Sequence, residues 1–312
     1  MTEPSTPNLT LVVNPASGRG RAKRLLPGLV QRLQRELPGV DLDVWESSSY
    51  DHARELCVRA VATARPGVPG QRPDTLLVMG GDGIAHLGLN ACGGTDVPLG
   101  VIPAGTGNDF CRGMRAATNA QGAVAAIIAG NTRRVDLAEV TGDLVGGRER
   151  ELVGSIVSTG YDSRVNRRGN GMRWSLGSLA YTAAALRELR GFDPLPYRLL
   201  LDGELLETDA MFVTVGNAGV MGGGMQACPD ADVTDGLLDL TIVHAVSRWV
   251  LIRMLPKMFD GSFRTHPAIE FRRATTVHID GDGLFGMADG EELGPVPLTV
   301  TALPRALTLL VP

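Results

Sequence analysis

The sequence predicts an α/β domain with a parallel sheet, followed by a mainly antiparallel β domain. Up to about Val140, short apolar runs alternate with amphipathic stretches, which is the pattern of strand–helix–strand units. After Val140, strand-like runs follow one another and are separated by Gly, Asp and Pro turns. A chain of 312 residues is long enough for two domains, and the change of pattern predicts domains 1–138 and 139–312.

The first domain is predicted to contain four strands and four helices. The predicted strands are Leu9–Val13, Asp41–Trp45, Thr75–Met79 and Leu99–Ile102. The predicted helices are Arg21–Leu37, with leucine at every fourth position, then His52–Ala64, a helix ending at Cys92, and Ala120–Ala129. Because such strands run parallel, their carboxyl ends meet at one edge of the sheet, where ligands bind.

The second domain is predicted to consist mainly of short strands. They are Gly154–Thr159, Tyr197–Leu201, Met211–Val215, Leu237–Val243, Ala274–Ile279, Pro297–Thr301 and Leu307–Val311. Two helical segments interrupt them, Ser178–Leu189 and Arg248–Phe259. This order favours an antiparallel sheet architecture over a second set of strand–helix units.

Composition excludes several classes of protein. A net charge of −4 disfavours a nucleic-acid partner, and no GxxxxGK[ST] motif is present, so nucleotide binding by a P-loop is excluded. The four cysteines are far apart and form no CxxC pair, which favours a reducing cytoplasm over a disulfide scaffold or a zinc site. The sequence shows neither a signal-peptide pattern nor an apolar run long enough to span a bilayer.

Three glycine-rich loops each follow an apolar predicted strand: Asn14–Gly20 (NPASGRG), Gly80–Gly83 (GGDG) and Pro103–Asp109 (PAGTGND). Glycine lets the backbone approach an anion, and the N–H groups of a following helix point at it. Asp82 between glycines is costly to bury unless it meets a cation or hydrogen-bond donors. Each loop alone is also typical of an ordinary turn or helix cap. Together they predict one composite anion-binding site.

Two later motifs complete a resemblance to a known family. With GGGMQACPDADVTDGLLDL (222–240) and ADGE (288–291), the loops match in order the motifs of the diacylglycerol kinase catalytic superfamily, from about Leu9 to Pro312. GGDG alone is shared with NAD kinases and phosphofructokinases. The resemblance implies an ATP-binding α/β domain like that of NAD kinases and a C-terminal β-sandwich domain whose last strand returns to the first. It also implies ATP and Mg²⁺.

The resemblance assigns roles to the loop residues. Phosphate and nucleotide contacts are implied for Asn14, Pro15, Ser17, Gly18, Ser47 or Ser48, Gly80, Gly81, Asp82, Gly83, Gly105, Thr106 and Asn108. Asp82 and Asp109 would belong to the carboxylate and water network around a catalytic Mg²⁺. One departure stands out: the family usually has Thr after GGDG, whereas this chain has Ile84, and a lost hydroxyl contact is worth about 1 kcal/mol.

The second domain would supply a metal site and the general base. By resemblance, the Asp235 side chain would bind a structural Mg²⁺ together with the backbone carbonyls of Asp232 and Leu237, and Glu291 would be the base. A Glu suffices because the alcohol proton leaves as the phosphoryl group arrives. A second DGE at 202–204 competes with it, but lies between two strand-like runs and predicts a hairpin turn.

The acceptor side is less specific. The resemblance places Asp162 near the acceptor hydroxyl, although an ordinary turn aspartate fits equally well. The arginine-rich segment Arg164–Trp174 fits either anionic headgroups or a solvated loop. For the predicted helix Arg248–Phe259, a core-facing helix is favoured over insertion at a membrane interface.

These features favour an ATP- and Mg²⁺-dependent lipid kinase, with diacylglycerol as the first candidate substrate and phosphatidic acid as its product. The alternatives are a kinase of phosphatidylglycerol or a sphingoid base, an NAD kinase, and a catalytically silent lipid- or nucleotide-binding protein. The expected setting is the cytoplasm at the membrane surface, with no nucleic-acid partner and no transmembrane segment. A homodimer is compatible with all of these.

Overall fold

The computed structural model describes residues 6–68, 70–160, 193–254 and 256–312 of the chain. Two compact units are present: unit 1 comprises Met1–Leu137 and Pro304–Pro312, and unit 2 comprises Ala138–Leu303. The division falls inside two strands, Thr132–Gly142 and Leu298–Leu310, so each of these strands contributes residues to both units.

Unit 1 is built on a parallel sheet. Its strands are β1 (Asn8–Val13), β2 (Asp41–Glu46), β3 (Thr75–Gly80) and β4 (Leu99–Pro103), in the order β2-β1-β3-β4. Leu309, near the end of the chain, pairs in parallel with Leu99 and extends the sheet. The helices are α1 (Ser17–Glu36), α2 (Tyr50–Ala62), α3 (Asp82–Cys92), α4 (Asp109–Gly113) and α5 (Ala120–Ala129). The predicted parallel α/β architecture is confirmed.

One core cluster of unit 1 lies between the sheet and helices α1 and α5, and buried residues of α2 and α3 pack on strands of the same sheet. Buried leucines of α1 pack with strand residues and with the apolar face of α5. The regular part of α1 starts close to the predicted Arg21, because Gly18, Arg19 and Gly20 have left-handed backbone angles. Helix α5 ends at the left-handed Gly130, and the Arg72 guanidinium donates hydrogen bonds to two of its last carbonyls.

Unit 2 is mainly an antiparallel sheet. Its strands are β5 (Thr132–Gly142), β6 (Arg150–Val153), β7 (Ile156–Gly160), β8 (Leu195–Leu201), β9 (Glu204–Gly216), β10 (Val220–Met221), β11 (Met225–Gln226), β12 (Leu238–His244), β13 (Ile269–Ala274), β14 (Thr276–Asp280), β15 (Phe285–Ala288), β16 (Glu291–Pro295) and β17 (Leu298–Leu310). The main order is β16-β15-β7-β9-β8-β14-β17, and β12 joins β9 to β13. The predicted antiparallel arrangement is confirmed.

Several strands of unit 2 were not predicted: β5, β6, β10, β11, β13, β15 and β16. Exposure explains β13, whose residues Phe271–Arg273 face solvent, whereas β6 and β15 are mostly buried but only four residues long. The two predicted strands Pro297–Thr301 and Leu307–Val311 form one continuous strand, β17. Apolar periodicity detects a strand only where one face is buried.

The predicted helix Arg248–Phe259 forms two short helices, α6 (Arg248–Met254) and α7 (Lys257–Asp260). Pro256 lies between them at the N-cap of α7, and a proline has no N–H with which to continue a helix. The other predicted helix, Ser178–Leu189, lies outside the described residues. Within the residues that are described, no helix has both the length and the apolar character needed to cross a membrane.

Candidate active site

The three glycine-rich loops of unit 1 meet at the carboxyl ends of β1, β3 and β4. The Asn14 N–H donates a hydrogen bond of 3.0 Å to the Met79 carbonyl, and a Cβ on Gly80 would lie 2.8 Å from Ser17 Oγ, so the first loop lies against the second. The N–H groups of Ala104 and Gly105 donate to the Gly80 carbonyl at 2.7 and 3.1 Å, which connects the third loop to the second. The loops predicted to form one composite site are therefore in direct contact.

This close packing requires glycine at Gly18. Its φ is +58°, and a Cβ there would overlap the carbonyl oxygen of Ala104. Gly81 and Gly105 also approach each other, because a Cβ on Gly105 would lie 2.5 Å from the Gly81 Cα. Side chains are thus kept out of the centre of the loops, where backbone N–H groups can reach a phosphate.

The first loop is ordered by its own polar groups. The Asn14 side-chain oxygen accepts a hydrogen bond of 3.1 Å from the Ala16 N–H, and the Asn14 carbonyl accepts one from the Ser17 N–H. Pro15 and Ser17 are half-buried beside them. These contacts shape the turn that leads into α1.

Asp82 connects the second loop to the third. Its two carboxylate oxygens accept hydrogen bonds from the backbone N–H groups of Asn108 at 2.9 Å and Phe110 at 3.0 Å. Asp82 thereby satisfies donors at the start of α4 while it occupies the first turn of α3. The donors expected for a carboxylate between glycines are present.

Asp82 and Asp109 point toward the same place. A Cβ on Gly107 would lie 2.8 Å from Asp82 Oδ2 and 3.7 Å from Asp109 Oδ2, so the missing side chain leaves a cradle between the two carboxylates. Asp109 also contacts Arg112, with 3.3 Å between Oδ1 and Nη1. Mg²⁺ in enzymes that bind phosphates is held by one or two carboxylates together with phosphate and water oxygens, and this cradle fits that pattern.

A divalent ion at the Gly107 cradle would need ligands from the substrate. In the part of the chain that the structure describes, no group of three or more His, Cys, Asp or Glu side chains could hold a metal by itself. Phosphate and water oxygens would have to complete the coordination shell. The arrangement therefore suits a metal that arrives with a nucleotide.

The remaining predicted nucleotide contacts differ in how available their side chains are. Thr106 is exposed at the tip of the third loop, whereas Ser47 is buried and its hydroxyl donates a 3.0 Å hydrogen bond to the Val13 carbonyl. The Ser48 hydroxyl lies 2.9 Å from His52 Nδ1. The Asn108 Nδ2 donates to the Gly105 carbonyl, and its side-chain oxygen is buried with no partner among the described residues.

Ile84, which stands where the resembled family has Thr, is part of the packing. It is buried, and its Cγ2 lies 2.7 Å from where a Cβ on Gly80 would be. His86, two residues later, is also buried, with Nε2 3.3 Å from Asn90 Nδ2. Both side chains face the interior of unit 1, which fits packing roles.

In unit 2, Glu291 follows a tight turn between β15 and β16. Asp289 and Gly290 have φ values of 49° and 90°, as a type I′ hairpin turn requires. The Asp289 carboxylate accepts hydrogen bonds from the N–H groups of Gly154, Ser155 and Ile156 at 3.0, 3.1 and 3.3 Å. The side chain of the half-buried Glu291 has no hydrogen-bond or ion-pair partner among the described residues, so its carboxylate is available to a substrate.

The competing DGE is built in the same way. Asp202 and Gly203 have φ values of 48° and 95° and form the predicted hairpin turn between β8 and β9. The Asp202 carboxylate accepts hydrogen bonds from Thr275 Oγ1 at 2.7 Å and from the Thr276 N–H at 2.8 Å. Glu204 is exposed. The local geometry of the turn therefore does not distinguish the two motifs.

The turn at 232–237 already satisfies most of its own polar groups. Asp235 Oδ1 accepts a 3.0 Å hydrogen bond from the Leu237 N–H, and its Oδ2 lies 3.2 Å from Arg273 Nη2. Asp232 Oδ1 accepts hydrogen bonds from Thr234, and the Asp232 carbonyl accepts a 3.4 Å one from the Asp235 N–H. The predicted structural metal ligands thus lie in one tight turn.

Nearby charges leave this turn with excess negative charge. Burial raises the pKa of Asp239, and Asp235 and Asp230 raise it further against the lowering effect of Arg273. Asp239 Oδ2 is buried without a hydrogen-bond partner among the described residues. A divalent cation on oxygen ligands would relieve this charge, but no three acidic side chains of the described residues could hold a metal together, so backbone carbonyls and water would have to supply further ligands.

Two further results concern the predicted residues. Asp162 and the segment Arg164–Trp174 lie outside the described residues.

Asp289 and Gly107 shape the site, although the motifs alone assign them no separate role. An Asp-Gly pair signals a turn, but the N–H groups that Asp289 binds lie more than 130 positions earlier in the chain.

Nearly the whole chain matches two family models and a relative named diacylglycerol kinase. Residues 8–140 match the family model of the diacylglycerol kinase catalytic domain, and residues 155–311 match that of the YegS C-terminal NAD kinase beta sandwich-like domain. A Mycobacterium tuberculosis protein named diacylglycerol kinase is 39% identical over 306 residues, covering 97% of this chain and 95% of that protein.

Solved structures show the same fold. A Bacillus anthracis structure described as a diacylglycerol kinase has a TM-score of 0.72 at 20% identity and covers 99% of this chain and 98% of that one. Yeast NADH kinase in complex with NADH has a TM-score of 0.54 at 13% identity and covers 99% and 84%. The predicted relation to NAD kinase folds is confirmed. From the family models, the relatives and the fold, the chain belongs to the diacylglycerol kinase family, and it is a kinase.

Proposed function

We propose that this protein transfers the γ-phosphate of ATP to a lipid hydroxyl with the help of Mg²⁺. Diacylglycerol is the first candidate acceptor, because the relative with 39% identity is named diacylglycerol kinase. The observation that carries the proposal is the cradle at Gly107, where Asp82 and Asp109 converge beside three loops of backbone donors. Triphosphate and metal are the ligands that such a cradle suits.

In this proposal unit 1 binds the nucleotide. The backbone N–H groups of the glycine-rich loops hold the phosphates, with Asn14, Ser17 and Gly18 in the first loop and Thr106 in the third. Asp82 and Asp109 would hold the Mg²⁺, which when bound neutralises charge on the phosphates. The scarcity of lysine does not weaken the proposal, because backbone amides and a metal can supply the positive potential.

Unit 2 supplies the base. Glu291 accepts the proton of the acceptor hydroxyl while that oxygen forms a bond to the γ-phosphorus, and the bond from the γ-phosphorus to the bridging oxygen of ADP breaks. Asp289 positions Glu291 by fixing the turn to the start of β7. Asp235, with the carbonyls of Asp232 and Leu237, would hold a second Mg²⁺ that stabilises unit 2. The product from diacylglycerol is phosphatidic acid, formed at the cytoplasmic membrane surface.

The test is label transfer from γ-labelled ATP with Mg²⁺ to a panel of lipids in mixed micelles. Diacylglycerol, phosphatidylglycerol and sphingosine form the panel, and NAD and a lipid-free sample are the controls. Label in diacylglycerol is expected. Label in another lipid would reassign the acceptor, and label in NAD would support the second candidate, an NAD kinase, which the fold similarity to yeast NADH kinase keeps open. No label despite ATP binding would support a silent binder.

A further inference from the structure

The helical segment between β12 and β13 in unit 2 packs against the rest of the unit through one apolar face. Helices α6 and α7 and the short 3₁₀ helix Ser262–Thr265 bury Leu251, Met254, Met258 and Phe263. These side chains belong to one apolar cluster with residues of β7, β9 and β12. The inner face therefore anchors the helices without any help from the outer one.

The outer face exposes two large aromatic side chains. Trp249 is 63% exposed and Phe259 is 52% exposed, which makes them the most exposed aromatic residues in the described part of the chain. The chain as a whole is poor in aromatic residues, at 4%. Two of them left in water on one short segment indicate a surface that is covered during function.

The same face is cationic. Arg248, Arg253 and Lys257 are exposed, and neither arginine has a carboxylate partner within the described ranges. The acidic residue of this segment is Asp260, whose carboxylate accepts a hydrogen bond from the Ser262 N–H and lies near Lys257. The local excess of positive charge contrasts with the net charge of −4 of the whole chain. This face is complementary to a negatively charged partner.

The segment is connected to the turn that carries Glu291. Ile156 belongs to the apolar cluster under α6 and α7, and its N–H donates a 3.3 Å hydrogen bond to Asp289 Oδ1. The Asp289 N–H donates in return to the Ile156 carbonyl at 3.4 Å. One buried layer of side chains thus links the outer face of these helices to the turn of the proposed base.

We propose that the outer face formed by Arg248, Trp249, Arg253, Lys257 and Phe259 docks on an anionic lipid bilayer. The cations contact the headgroups, and the two aromatic rings insert at the boundary with the acyl chains. The combination of exposed aromatic rings and an excess of cations fits a bilayer interface better than an apolar protein surface. This assignment rests on the proposed function, because a lipid kinase must receive its acceptor from a membrane.

The test compares vesicle binding of the full chain with that of the double variant Trp249→Ala/Phe259→Ala. Sedimentation with vesicles of phosphatidylcholine and phosphatidylglycerol should show binding that weakens at least about tenfold in the variant. Leu205→Ala is the matched control, because Leu205 is 54% exposed on β9 of the same unit, and it should bind as the wild type does. Arg248→Gln/Arg253→Gln should remove the preference over vesicles of phosphatidylcholine alone.

A second measurement does not depend on a stable double variant. The tryptophan emission of the wild type should shift to the blue on anionic vesicles, and Trp249→Phe should remove this shift while it keeps the binding. Unchanged binding in the double variant would overturn the proposal. So would a change from dimer to monomer in that variant with vesicle binding retained, which would assign the face to a second copy of the chain.

Kinase assays separate this proposal from the proposed function. The double variant should phosphorylate a short-chain, water-dispersed diacylglycerol at the wild-type rate and lose activity on diacylglycerol within vesicles. If the wild type phosphorylates no lipid, the proposed function fails, while the vesicle result still decides the docking face. If the wild type is active and the double variant is equally active on diacylglycerol within vesicles, the docking face alone is wrong.

Discussion

Asp289 and Asp202 hold the same place in two hairpin turns with the same three-residue motif. Each has a left-handed φ and uses its carboxylate to accept backbone hydrogen bonds from a neighbouring segment. The segment differs: Asp289 fixes its turn to the start of β7, and Asp202 fixes its turn to the start of β14. The tertiary partner of each aspartate, rather than the motif, decides what the following glutamate can reach.

Replacing Asp289 by alanine tests this positioning role. The Asp289→Ala variant loses an acceptor shared by three N–H groups, so the turn loosens and the transfer rate should fall about 10- to 100-fold. Asp202→Ala removes a comparable set of hydrogen bonds and should transfer phosphate at close to the wild-type rate. Steady-state kinetics on both variants checks this, and equal rates would contradict a special role for the Asp289 turn.

At the scale of elements, the glycine-rich loops depend on contacts between neighbouring strand ends. Gly18 and Gly20 both have positive φ, so each replacement by alanine carries a left-handed strain of about 1 kcal/mol. A Cβ on Gly18 would also overlap the Ala104 carbonyl, whereas a Cβ on Gly20 would meet no atom within 4 Å. The difference between the two variants therefore isolates the contact between the first and third loops.

We expect Gly18→Ala to weaken ATP binding at least about tenfold, because the third loop must move away from the phosphate site. Gly20→Ala should keep ATP affinity within about threefold and lose only stability. Titration calorimetry with ATP and Mg²⁺ measures both. Equal losses of affinity would mean that strain in the turn, and not contact between the loops, sets the binding.

At the amino ends of the parallel strands, Asp74 connects the start of β3 to the start of β1 and to the segment that follows α2. Its carboxylate accepts hydrogen bonds from the Asn8 N–H at 2.8 Å, from the Arg65 N–H at 2.9 Å and from Arg65 Nε at 2.8 Å. Burial raises the pKa of Asp74, but these hydrogen bonds outweigh it and lower the pKa from 3.8 to about 2. Because Asp74 binds a proton more weakly in the folded state than in the unfolded state, its carboxylate stabilises the folded protein above pH 3.8.

This stabilisation should be about 2 kcal/mol at pH 7 and should disappear as the pH falls from 3.8 to about 2. Asp74→Asn should therefore unfold more easily at pH 7 and match the wild type near pH 2. Asp51→Asn is the control, since Asp51 is exposed and its ion pair with Arg54 contributes little. Denaturant unfolding at several pH values checks this, and a difference that persists at pH 2 would contradict it.

For the whole molecule, the parallel half could be predicted closely and the antiparallel half only in outline. Strands β1, β3 and β4 of unit 1 are buried, so their apolar runs mark them within two residues. In β9 only the buried half was predicted, as Met211–Val215, because residues 204–209 are mostly exposed and polar. A strand without a buried face has no periodic signal, and only its hydrogen-bonded neighbours define it.

The candidate site shows the same limit. The three loops could be predicted because each is continuous in sequence and their strands are adjacent in a parallel sheet. The convergence of Asp82 and Asp109 at Gly107 depends on how the third loop turns, and the anchoring of Asp289 depends on a segment far away in the chain. Such contacts arise from tertiary packing and have no local pattern.

The most direct test of the account is phosphate transfer from γ-labelled ATP to diacylglycerol by Glu291→Gln and Glu204→Gln, side by side with the wild type. Loss of the base should lower the transfer rate of Glu291→Gln by at least about 10²- to 10⁴-fold while ATP binding stays intact. Glu204→Gln, in the matching turn, should remain as active as the wild type. Full activity in Glu291→Gln, or a comparable loss in Glu204→Gln, would contradict the account.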